Sequence, residues 1–235
     1  MNFVEWLKYH FLIWLIPGPQ GKIADADFVC PQAFGRNTWT DKEISGAMAK
    51  LFRGIDSSKE QDQAMDRLAK INFDPGIVNI SLAKGCYHLA RRLKENGKNP
   101  WIIGQWEVIF ALATADEEMA SWYKENREFI VAIWPPLSGE YLNTRGMLFI
   151  AKEIARKHRL RYPIVVAHRE HLARCVLLAE MIFGKANVAL LPTLLPECQP
   201  FFDPNSVHPQ TTAKWTWRWY EFRARWHHFL KGWAP

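Results

Sequence analysis

Short apolar runs recur along the chain, separated by longer segments in which apolar residues return every three or four positions. The runs Ala26–Cys30, Trp101–Ile103, Phe129–Ile133, Ile164–Ala167 and Val188–Leu191 are apolar at nearly every position. Strands of a parallel sheet read this way, because helices cover both of its faces. The intervening segments predict helices over about 41–53, 58–71, 80–96, 115–126, 143–159 and 169–183. Three of them are preceded by a capping-box pattern, Thr40-x-x-Glu43, Ser57-x-x-Glu60 and Thr114-x-x-Glu117. In that motif hydroxyl and acid each satisfy an orphan backbone N–H. Gly97 and Gly184 stand where helix ends need a left-handed residue.

Strands alternating with helices predict an α/β fold. The expectation is a Rossmann-like three-layer sandwich with a mostly parallel five-stranded sheet over residues 21–211. Amphipathic helices flank it at 1–20 and 212–235. In the first, Phe11–Ile16 is apolar but is stopped by Pro17-Gly18-Pro19. It is shorter than the roughly 20 residues a spanning helix needs. The expected place for this helix is against the domain, with a membrane interface as the alternative. The tract Leu191–Gln210 holds five prolines and leads the chain away from the sheet. Beyond it, Trp219, Phe222, Trp226, Phe229 and Trp233 recur at helical spacing. The first four are expected to dock against the domain, since each buried aromatic contributes far more than a surface charge near a bilayer.

Charge changes this picture only at the tail. The net charge is +6, and Lys214, Arg218, Arg223, Arg225 and Lys231 against Glu221 supply four of the six. A nearly neutral remainder argues against a nucleic-acid binder. Cys30, Cys86, Cys175 and Cys198 form no C-x-x-C pair, so reduced thiols in a cytoplasmic protein are expected, with peripheral membrane contact left open.

In an open parallel sheet, ligands bind beyond the carboxyl ends of the strands. That rule selects the loops 31–39, 104–108, 135–144 and 168–171. The chain carries no G-x-G-x-x-G, Walker A, G-x-S-x-G or H-E-x-x-H motif, which removes the common nucleotide, hydrolase and zinc-protease signatures. The stretch Tyr162–Arg174 passes from a strand directly into a helix. His171 and Arg174, three apart, share one face of its first turns, where backbone N–H groups favour an anion. In the alternative, Arg174 pairs with Glu170 and His171 packs at the surface. His168 and His171 lack an evident third ligand, so no metal is expected.

The order of these pieces resembles the YdcF-like family (domain of unknown function 218, SanA and ElyC types), a bacterial group, from about Ala24 to Trp233. The resemblance is carried by GCYHLARRLKENGKNPWIIGQ, ADEEM, LSGEYLNTRGMLFIAKEI, PIVVAHREHLARCVLLAE and HHFLKGW. The sequence departs from the family pattern at Gly104-Gln105-Trp106, at Gly146 and Met147, and in the loop Pro31–Gly35. The resemblance implies a site with Glu117 or Glu118 and His171 as catalytic groups, and Arg174, Thr144, His168, Gly104, Gln105 and Asn143 as ligand contacts. It also implies an anionic, nucleotide-like or adenosyl-type ligand and a link to envelope biogenesis, with no defined reaction.

Two functions compete. In the first, Arg174 holds a phosphorylated small molecule, His171 moves a proton near neutral pH, and Thr144 donates at a helix start. In the second, Gly146 and Met147 mark a dead site and the terminal helices make the working surface of an interaction or peripheral membrane protein. Whether the chain is an enzyme is left open by its residues.

Overall fold

A computed structural model describes residues 25–38, 58–135, 142–184, 189–190 and 202–230. The expected helices at 1–20 and 41–53 lie outside these residues, as do the capping residues Thr40 and Ser57. The chain is α/β. In order it forms β1 (Phe28–Pro31), α1 (Ser58–Lys70), α2 (Ile77–Glu95), β2 (Trp101–Gln105), α3 (Trp106–Thr114) and α4 (Glu117–Glu125). β3 (Ile130–Ile133), α5 (Thr144–Lys157), β4 (Pro163–Val166), α6 (Arg169–Phe183) and α7 (Lys214–Leu230) follow.

The four strands pair in parallel in the order β3-β2-β1-β4. Of the expected strand at 188–191, Ala189 and Leu190 pair in parallel with Ile164 and Val165 on the outer side of β4. Successive strand residues point to opposite faces. Val29, Ile102, Ile130 and Ile164 accordingly join a core with α1 to α4 and with Trp217 of α7. Phe28, Cys30, Ile103 and Val165 join a second core with α5 and α6. The edge of β3 is closed by a side chain: Gln61 Oε1 accepts from Ala132 N at 2.9 Å, and its Nε2 donates to Ile130 O at 3.4 Å. An amide thereby takes the place of a neighbouring strand.

α3 was not foreseen. Its residues Trp106–Leu112 are all buried, so WEVIFALAT shows no amphipathic period. Because α3 runs to Thr114, that residue cannot cap the next helix. Its hydroxyl donates to Phe110 O at 2.8 Å, and Asp116 caps α4 by accepting from Met119 N at 2.9 Å. The sharpest difference concerns α7. Trp219, Phe222 and Trp226 face outward, 65%, 44% and 43% exposed. The helix docks instead through Trp217, Glu221 and Arg225, at 4%, 0% and 2%. The side chain of Phe229 lies outside the described residues.

Candidate functional site

A cavity of about 600 Å³ opens at the carboxyl edge of the sheet. The sheet order places β1 between β2 and β4, so connections leave in opposite directions on its two sides, where parallel sheets form ligand crevices. Three loops wall the cavity. Ala33, Phe34, Gly35 and Arg36 follow β1, Gln105 and Glu107 begin α3, and Leu142, Asn143 and Thr144 begin α5. His171 and Arg174 of α6, His208, Gln210 and Thr211 before α7, and Trp217, Tyr220 and Arg223 of α7 also line it.

The loop after β1 is held by side-chain amides. Gln105 Oε1 accepts from Ala33 N at 2.7 Å, and Asn79 Oδ1 from Phe34 N at 2.9 Å. Gly35 has φ of +72°, and a Cβ there would lie 2.5 Å from Thr211 Oγ1. Both conformation and space demand glycine. Arg36 Nη1 donates to Glu107 Oε1 at 3.2 Å, with both side chains buried.

Thr144, His171 and Arg174 meet on one wall. Thr144 Oγ1 lies 3.3 Å from His171 Nε2, and Arg174 Nη2 lies 3.2 Å from His171 Nδ1. A guanidinium only donates, so Nδ1 must accept. The neutral imidazole therefore carries its proton on Nε2 and donates it to Thr144. Burial first, then the Arg174 charge, holds the His171 pKa well below its ordinary 6.5. In this arrangement His171 donates to Thr144, and its lone pair meets Arg174 rather than the hydroxyl.

Arg174 also differs from expectation. Its Nε donates to both oxygens of Glu221 at 3.0 Å, and Arg225 Nε donates to Glu221 Oε1 at 2.9 Å. The side chain expected to hold a ligand is bonded to α7 through Nε. Glu170, the alternative partner, turns to Lys214 at 3.6 Å and Arg218 at 3.5 Å.

The remaining expected residues divide. Asn143 lines the cavity and caps α5, accepting from Gly146 N at 2.9 Å. Gln105 lines it and braces the β1 loop. Gly104 serves packing, since a Cβ would sit 2.2 Å from Pro31 Cγ of the paired strand. His168 caps α6, accepting from Glu170 N at 3.2 Å, and stacks on Phe34 at 3.9 Å. Burial lowers its pKa to about 3. Glu117 and Glu118 are exposed on α4 and do not wall the cavity; Glu118 accepts from Tyr87 Oη at 2.5 Å. The reason is α3, whose unforeseen turns carry the chain away before α4 begins.

Glu107, Arg36, Arg223 and Glu221 were missed. The first two lie in loops the strand-end rule had selected, and Glu221 is the lone acid of a basic tail. Among the described residues no cluster of three metal-ligating side chains occurs. No helix among them is long and apolar enough to cross a membrane. No protein-family model, curated protein or solved structure matches the chain.

Proposed function

We propose that this domain binds a small anionic molecule, phosphorylated and nucleotide-like, in the cavity at the carboxyl edge of the sheet. The observation that carries the proposal is the charge of the walls. Arg36, Arg174 and Arg223 line the cavity with one carboxylate, Glu107, which pairs with Arg36. Behind the wall Glu221 and Arg225 cancel. α3 and α5 begin at the cavity, and the positive ends of their dipoles favour an anion there.

Each wall contributes something different. Thr144 accepts from His171, which leaves its own O–H to donate into the cavity. Arg223 makes no ion pair among the described residues and supplies the cation that can follow a ligand. Phe34, Trp217 and Tyr220 offer ring surface for an aromatic portion. The donors suit binding better than proton transfer, because the imidazole is neutral and already committed.

The same proposal takes the two cores as the outer interfaces of a Rossmann-like three-layer sandwich, with a fifth strand around 188–191. The YdcF-like reading is supported by Thr144, His171 and Arg174 sharing a wall, and opposed by the remote Glu117 and Glu118.

Calorimetric titration of the full chain with adenosine monophosphate tests this. A hydrogen bond to a charged group contributes about 1.5–3 kcal/mol, so Arg223→Gln should weaken binding by roughly 10- to 150-fold. Undetectable binding, or equal affinity for wild type and variant, would remove the proposal.

A further inference from the structure

We infer that α7 is a hinged lid on the cavity, latched shut by Glu221. Two adjacent faces of the helix meet at Trp217. Along one, Trp217, Tyr220, Ala224 and His227 recur at spacings of three, four and three and line the cavity. Along the other, Trp217, Glu221 and Arg225 recur at every fourth position and are buried. That second face is fixed to α6. Glu221 accepts from Arg174 Nε at 3.0 Å, and Trp217 Nε1 donates to Glu170 O at 3.1 Å. The turn before α7, Pro209–Thr211, is tied instead to the β1 loop. Ser206 Oγ donates to Arg36 O at 3.1 Å and meets Thr211 Oγ1 at 2.7 Å, and Val207 N donates to Arg36 O at 2.8 Å. The chain then enters α7 through Thr212 and Ala213, which belong to neither element and form the joint.

The balance of forces lets this wall open on its own. A face turned to a cavity of about 600 Å³ gains little dispersion there. Among the described residues of α7, Trp217 is the one buried apolar side chain, and the other two buried side chains, Glu221 and Arg225, are charged. Closing a charge cluster strips it of water, and that cost offsets much of the attraction gained. Opening therefore exposes one large apolar side chain and rehydrates three charges, while the strands keep their pairing. Elements with few buried apolar contacts are the ones that open locally. Arg174 ties the latch to the site, since its Nε holds Glu221 and its Nη2 lies 3.2 Å from His171 Nδ1. Through it, the position of the lid and the direction of the Thr144 hydroxyl are coupled. The ligand's part rests on the binding proposed above: a molecule in the cavity touches α7 and the loops together, so occupancy favours the shut lid.

Hydrogen exchange of the full chain, read by mass spectrometry, tests the lid without any ligand. The amides of residues 218–227 should exchange through one shared opening, at least about tenfold more often than those of β1, β2 and β4. Glu221→Gln leaves two buried guanidiniums without their carboxylate. It should speed residues 218–227 by at least about tenfold more and leave the strands unchanged. Equal protection of helix and strands overturns the inference, as does a rate that rises gradually toward residue 230, the mark of fraying. An unaltered helix rate in the folded variant removes the latch and the inference with it. Should the variant misfold, the wild-type comparison decides alone. Adenosine monophosphate at about 100 times its Kd should slow the helix about 100-fold. Calorimetric binding without slowing overturns the lid and leaves the binding reading intact. Absence of binding removes that reading, and the ligand-free exchange still decides the lid.

Discussion

Replacing Glu221 by alanine removes the anion from between two buried arginines. In the folded chain Glu221 is fully buried, Arg225 2% and Arg174 6% exposed. Glu221 receives Arg174 Nε on both oxygens at 3.0 Å and Arg225 Nε at 2.9 Å. Without it, two buried guanidiniums lose the carboxylate they share, and Arg174 loses the brace that points it at His171. Breaking a buried charge cluster by deleting one member costs about 3–5 kcal/mol. For a chain of this size that corresponds to a fall of about 6–20 °C in Tm. Urea denaturation of the full chain, compared at constant slope, measures the loss directly. The companion variant Arg174→Met, Glu221→Leu and Arg225→Met should recover most of it, because apolar replacement of a whole buried cluster is often neutral or stabilising. A loss below about 1 kcal/mol for Glu221→Ala would mean that the three groups are solvated, and the reasoning would fail.

Acid should destabilise the fold through two histidines. The folded pKa is depressed for both, to about 3 at His168 and well below 6.5 at His171, so the unfolded chain binds more protons once the pH drops under about 6.5. Their stability is fully present above that value and declines below it, by up to about 1.4 kcal/mol per pH unit for each. His168→Asn, which keeps a cap for α6, should flatten the decline; an unchanged acid limb would exclude His168 as a contributor. Gly35→Ala should cost about 1–3 kcal/mol, from the left-handed backbone and the overlap with Thr211, and a fully stable variant would show that the β1 loop relaxes freely. Burial pushes the Cys30 thiol up to about 12 and raises Cys175 as well, so native-state alkylation read by mass spectrometry should spare both until the chain unfolds. Rapid labelling of Cys30 would contradict its burial.

Much of the fold was legible because the deciding physics is local or periodic. Strands buried on both faces must be apolar throughout, so β2, β3 and β4 could be placed to within a residue or two from composition alone. Amphipathic helices announce themselves by spacing, as α1 and α5 do. The rule that ligands gather beyond the carboxyl ends of parallel strands pointed to loops that wall the cavity, with Thr144, Gln105, Asn143 and His171 in them, and helical spacing added Arg174.

What the sequence could not convey depends on partners distant along the chain. α3 is buried all round and leaves no period to read, and it moves Glu117 and Glu118 away from the cavity. Spacing showed that the tail carries an aromatic stripe, and apolar area alone favours burying it. Tertiary structure decided otherwise: Glu221, 47 residues beyond Arg174, finds that arginine and Arg225 together, and the closed charge cluster orients the helix with Trp217 inward. The proton on His171 is set in the same way, since Arg174 can only donate and so fixes which nitrogen remains to meet Thr144. Residue types were enough to name Thr144, His171 and Arg174, but the direction of each hydrogen bond among them follows from donors and acceptors that only the folded chain brings within 3.3 Å.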